Sequence, residues 1–127
     1  MKDRPVLLER IVDGIVIISV ERDLKGEGET TLRERLDGLV RRGHLNILIN
    51  LGDIPRLDSA ELGRLIRAHI SVRRAGGRIR LCNLPDRVRA LMKLTRMDTV
   101  LDIYKTEEEA LAAVRQSDAG ATDAPPV

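Results

Sequence analysis

Apolar and polar residues alternate between two rhythms along this chain. On either side of Asp13-Gly14 the residues are β-branched and apolar, Ile11-Val12 before the pair and Ile15 to Val20 after it. An Asp-Gly pair suits the positive-φ positions of a two-residue turn. The pattern therefore predicts a hairpin with strands at about 5–12 and 15–21. After a loop from Asp23 to Glu27 containing Gly26, with Gly28 just beyond it, the period changes. Leu32, Leu36, Leu39 and Val40 recur at helical spacing, predicting a helix over 29–42 that Gly43 closes. Residues 45–51 are apolar at five of seven positions and read as a mostly buried strand. Leu62, Leu65, Ile66, Ile70 and Val72 mark a second helix over 59–75, stopped by Gly76-Gly77. Ile79, Leu81 and Cys82 form a further strand. Pro85 stands where a helix's first turn tolerates it, and Val88, Leu91, Met92 and Leu94 continue that helix. A short strand over Val100–Tyr104 follows. Thr106 then caps a last helix whose first turn carries Glu107 to Glu109, acids that suit the positive end of the helix dipole.

An opening hairpin followed by alternating helices and strands predicts an α/β fold. It has a mixed sheet with an antiparallel edge, parallel central strands joined by right-handed crossovers, and about four helices. A length of 127 residues allows one core. The domain is expected over 1–116, with a disordered tail over 117–127 that is rich in Ala, Gly, Asp and Pro.

Composition narrows the function classes. Tyr104 is the only aromatic residue, so the core is built from Leu, Ile and Val, and no aromatic platform exists on which single-stranded nucleic acid bases could stack. The net charge of +2 is unevenly spread. Residues 56–96 carry eleven basic and three acidic side chains, whereas residues 97–127 carry two basic and seven acidic ones. Such a basic middle segment attracts nucleic acid, an anionic membrane surface or an acidic protein. Cys82 is the only cysteine, so no internal disulfide forms and the reducing cytoplasm is the expected compartment. No apolar run approaches the roughly 20 residues of a membrane span, and no signal-peptide apolar region follows the N-terminus.

Enzymatic chemistry finds little to use. His44 and His69 lie in unrelated contexts without ligand-spaced partners, which argues against a metal site. There is no phosphate-binding Gly-Lys-Ser/Thr loop, and no cofactor is expected. One stretch stands apart: Leu57-Asp58-Ser59-Ala60-Glu61-Leu62-Gly63, between the buried strand and the second helix. Asp58 and Glu61 have the spacing of a capping box, which uses both acids and asks nothing of Ser59. The Ser59 hydroxyl, at an exposed helix start, is open to a kinase. A phosphate there would set a charge of nearly −2 against any partner packed on that spot. Arg64, Arg67, Ile70 and Arg74 share one face of the same helix beside Ser59.

These residues, with the strand Asn46–Leu51 and the Ala75-Gly76-Gly77 break, resemble a bacterial anti-sigma factor antagonist of the STAS superfamily over about residues 5–115. The resemblance implies a switch protein rather than an enzyme. In that family the Asp-Ser pair carries the regulatory phosphoserine, here Ser59. The unphosphorylated antagonist binds a serine-kinase anti-sigma factor and frees the sigma factor for transcription, commonly in a stress response. The kinase phosphorylates and releases it, and a metal-dependent serine phosphatase restores it. Partner contacts are expected at Asp23, Lys25, Asp58, Ala60, Glu61, Leu62, Arg64 and Arg67, with no direct nucleic-acid binding, no membrane span and at most weak homodimerisation. Two positions depart from the family pattern: Glu61 replaces a glycine, and Lys25 replaces an acid near the kinase's nucleotide, whereas Asp23 matches. Two alternative roles use the same fold, the scaffold of a stress-signalling complex and the accessory protein of a lipid-transport ABC system.

Overall fold

A computed structural model describes residues 6–21 and 27–123. Its elements run β1 (Val6–Val12), β2 (Ile15–Glu21), α1 (Glu27–Arg41), β3 (Asn46–Asp53), α2 (Ser59–Arg74), β4 (Arg78–Cys82), α3 (Asp86–Leu94), a 3₁₀ turn (Met97–Thr99), β5 (Asp102–Tyr104) and α4 (Glu107–Asp123). The sheet is five-stranded in the order β1-β2-β3-β4-β5. β1 pairs antiparallel with β2, and every later pair is parallel. At the hairpin tip Asp13 has φ 53° and Gly14 φ 80°, the two positive values that the Asp-Gly pair predicts.

The three crossover helices lie on one face of the sheet. Leu32, Leu36 and Leu39 of α1, Leu62, Leu65 and Val72 of α2, and Val88 and Met92 of α3 share a core with Val16, Ile18, Ile47, Ile49, Ile79 and Leu81. Crossovers of one hand stepping in one direction across a sheet end on the same side. α4 covers the other face, where Ala110 and Val114 pack on Ile15, Ile17, Leu48 and Cys82, with Tyr104 beside them. β2 and β3 are therefore covered on both faces, which is why their apolar residues run almost without alternation.

Several element ends lie a residue or two from the sequence expectation: α1 runs Glu27–Arg41 rather than 29–42, and β3 runs Asn46–Asp53 rather than 45–51. β5 begins at Asp102 rather than Val100, because the amides of Val100 and Leu101 both donate to the Met97 carbonyl, at 3.0 and 2.8 Å. They close the 3₁₀ turn and are lost to the sheet ladder. α4 carries helical backbone past 116 to Asp123, into the stretch expected as a disordered tail.

Candidate functional site

Parallel strands β2 to β5 all end at one edge of the sheet, the edge at which open α/β sheets bind their ligands and partners. Three connections meet there. The Gly52 amide donates to Asn50 Oδ1 at 2.8 Å. The Asn83 amide donates to the Lys105 carbonyl at 3.3 Å. A β-carbon on Gly52 would stand 3.5 Å from Cβ of Asn83, so the β3–α2 and β4–α3 connections are in near contact. Two apolar anchors pin the first of them, Ile54 at 0% exposure and Leu57 at 8%. The chain between them and α2 thus arrives at a fixed place.

Asp58 is the N-cap of α2, with extended backbone (φ −93°, ψ 177°). Its Oδ1 accepts from the Glu61 amide at 2.8 Å, and Glu61 Oε1 accepts from the Asp58 amide at 2.9 Å. The capping box read from the sequence is complete. Ser59 and Ala60, the first two residues of the helix, are exposed, and their amides have no carbonyl a turn behind to receive them. Ser59 takes no part in the cap. Its hydroxyl is presented on a rigid helix start that others hold.

The expected contact residues separate into three groups. Asp58, Ser59, Ala60 and Arg67 are exposed on this end of α2 and Arg64 is half-buried. Glu61 and Leu62 turn inward, at 2% and 6% exposure. Glu61 Oε2 is buried without a hydrogen-bond partner, the cost of placing a carboxylate where the capping box needs only one oxygen. Asp23 and Lys25 lie outside the described residues. Arg64 and Arg67 line a groove between α1 and α2 whose floor includes Leu36, Leu65 and Val72, with Arg33 and Asp37 on its other wall.

The opposite face of the sheet carries a polar layer that the sequence did not announce. Glu107, at the start of α4, accepts from Arg10 at 2.6 Å and from Asn50 at 2.9 Å. Burial pushes its carboxyl up, but these two bonds outweigh it and hold the group below the usual carboxylate value. Asp102 is treated alike: burial raises it, and the 2.8 Å bond from Arg78 Nε prevails. Arg80, at 2% exposure, donates to Asn46 Oδ1 at 3.3 Å. The polar positions Asn46 and Asn50 in the otherwise apolar β3 were the available signal for this layer. Burial pushes the Cys82 thiol up to about 12, so it is an inert core group. Among the described residues no cluster of His, Cys, Asp and Glu could hold a metal ion, and no helix is long and apolar enough to cross a membrane.

The exposed Ser59 thus stands on a preformed helix start at the strand-end edge of a mixed-sheet α/β domain. Comparison with known proteins gives the lineage. The STAS domain family model matches residues 8–110, and the chain belongs to that family. A candidate anti-sigma factor antagonist from Thermotoga neapolitana is 30% identical over 107 residues, 84% of this chain and 95% of that protein. The crystal structure of a candidate anti-sigma factor antagonist from Thermotoga maritima superposes with a TM-score of 0.78 at 28% identity, covering 86% of this chain and 94% of the other. The anti-sigma factor antagonist SpoIIAA shares the fold in both states solved. Its unphosphorylated form gives a TM-score of 0.71 at 21% identity, over 87% of this chain and 97% of that one. Its phosphorylated form, from Bacillus, gives 0.66 at 20%, over 86% and 99%.

Proposed function

We propose that this protein is an anti-sigma factor antagonist, which binds a serine-kinase anti-sigma factor while unmodified and leaves it when Ser59 is phosphorylated. One observation carries the reading: Ser59 is exposed at the first position of α2 while Asp58 and Glu61 alone complete the cap. Modification therefore need not disturb the fold. A new charge of nearly −2 falls on whatever protein covers the helix start. That a relative of the same fold was solved in a phosphorylated form supports the reading. A metal-dependent serine phosphatase would reset the switch.

Asp58, Ala60, Arg64 and Arg67 would meet the partner directly, and Glu61 and Leu62 would act from beneath by holding the helix start. Asp23 and Lys25 extend the surface on sequence grounds, and Lys25→Asp should weaken binding. The test is to incubate the protein with ATP and a serine-kinase anti-sigma factor retained on the immobilised chain, then map the modified residue by mass spectrometry. Phosphate on Ser59, with Ser59→Ala staying bound in the presence of ATP, is the expected result. Phosphate only elsewhere, at Ser19 or Thr95 for example, would overturn it.

A further inference from the structure

Ser59, Gly63 and Arg67 follow one another at four-residue spacing along α2 and lie on one stripe of the helix. Glycine inside a helix costs about 1 kcal/mol relative to alanine, and no positive φ at Gly63 calls for it. What the missing side chain leaves is room. A β-carbon at Gly63 would stand 3.6 Å from Nη1 of Arg67, so the guanidinium lies over the bare turn, folded back toward the start of the helix. Arg10, Arg35, Arg78 and Arg115 each pair with a carboxylate. Arg67 has no hydrogen-bond or ion-pair partner among the described residues.

Resting on the reading of Ser59 as the modified residue, we propose that Arg67, held over the gap at Gly63, is the receptor for the phosphate on Ser59. Residues four apart on a helix have β-carbons about 5–6 Å from each other, so a guanidinium over Gly63 is one side-chain swing from a phosphate on Ser59. Asp37 of α1, across the groove that Arg33 and Arg64 also line, forms no ion pair with Arg67. Asp58 and Glu61 spend an oxygen each on the other's backbone amide, and Glu61 is buried. Modification would then do two things at once: it adds an anion to the partner surface and withdraws a cation from it.

The test uses the full chain with phosphoserine installed at position 59 during translation, so that no kinase is needed, and follows the phosphorus NMR shift against pH. The second ionisation of the phosphate should lie roughly half a unit or more below its ordinary value of about 6. Arg67→Gln should move it back up toward that value, and Arg67→Lys should recover part of the shift. Gly63→Leu, which keeps the arginine but fills the gap, should also abolish it, and salt near 1 M should collapse it because the charges are exposed. Circular dichroism of each variant checks that the helix is intact. Equal titrations in the parent and Arg67→Gln, or a shift that survives Gly63→Leu, would overturn the receptor while leaving the switch standing. Failure of a kinase to modify Ser59 would do the reverse.

Discussion

Replacing Asp58 by alanine separates the folding of the candidate site from its proposed switching. The substitution removes the acceptor of the 2.8 Å bond from the Glu61 amide and leaves one first-turn donor without its cap. Loss of an N-cap side chain costs about 1 kcal/mol, within a range of roughly 0.5–2. Loss of a negative charge at the positive end of the helix adds about 0.3–1 kcal/mol. The return bond, from the Asp58 amide to Glu61 Oε1, uses backbone and survives. The sum is about 1–2 kcal/mol, or roughly 4–8 °C in Tm for a chain of this size. Asp58→Asn keeps the acceptor and should lose no more than about half as much. Ser59→Ala removes an exposed hydroxyl outside the cap and should stay within about 0.5 kcal/mol of the parent. Urea unfolding followed by far-UV circular dichroism measures all three. If Asp58→Ala matches the parent, or Ser59→Ala proves as costly, the division of labour between these neighbours is wrong.

The acid limb of stability should come partly from Glu107 and Asp102. Both carboxyls are held below their ordinary values of 4.5 and 3.8, so their contribution is complete above those values and is lost as pH falls through the lower folded ones. Arg10→Met combined with Asn50→Leu removes both donors to Glu107 and should flatten the drop in urea midpoint on acidification; an unchanged slope would contradict this. His69 behaves differently, since burial lowers it from 6.5 against the pull of Asp102, with Arg73 and Arg78 lowering it further. Its fold-favoured neutral form is fully present above pH 6.5, and stability should slip as pH falls toward the lowered value, a slope that His69→Gln should erase in pH-dependent melting. At Gly77 a β-carbon would lie 2.9 Å from Val72 Cγ1 and 3.0 Å from the Leu45 carbonyl. Gly77→Ala should therefore cost about 1–3 kcal/mol, and a melting curve that matches the parent would show that the α2–β4 turn gives way easily.

What could be read from the sequence was mostly local. Asp13-Gly14 announces its turn because few residues accept two positive φ values in a row, and Asp58 with Glu61 announces a cap because the bonds span only three residues. The helices follow from a period that one chain segment carries by itself. Val100 and Leu101 read as strand because their apolar side chains do not reveal that the Met97 carbonyl takes both amides. The cap spacing likewise gives no hint that Glu61's second oxygen is buried, since that depends on tertiary packing around the helix start. Least legible was the layer under α4. Arg10 and Glu107 stand 97 positions apart and meet only because α4 packs on the sheet, whereas Arg78 and Asp102, 24 apart, are brought together by the parallel β4–β5 register. The room over Gly63 also needed coordinates, because sequence shows a glycine without showing which side chain lies across it.

Tyr104 packs against the small core beneath α4, on the face of the sheet away from α1, α2 and α3, and the chain has no tryptophan or phenylalanine. Spectroscopically the molecule is therefore almost dark, with a single weak fluorophore that watches the docking of the last helix. In a titration with a tryptophan-bearing partner, all the emission excited at the red edge of the indole band belongs to the other protein. Complex formation at the Ser59 end can then be followed without labels, while tyrosine emission reports separately whether α4 has stayed in place.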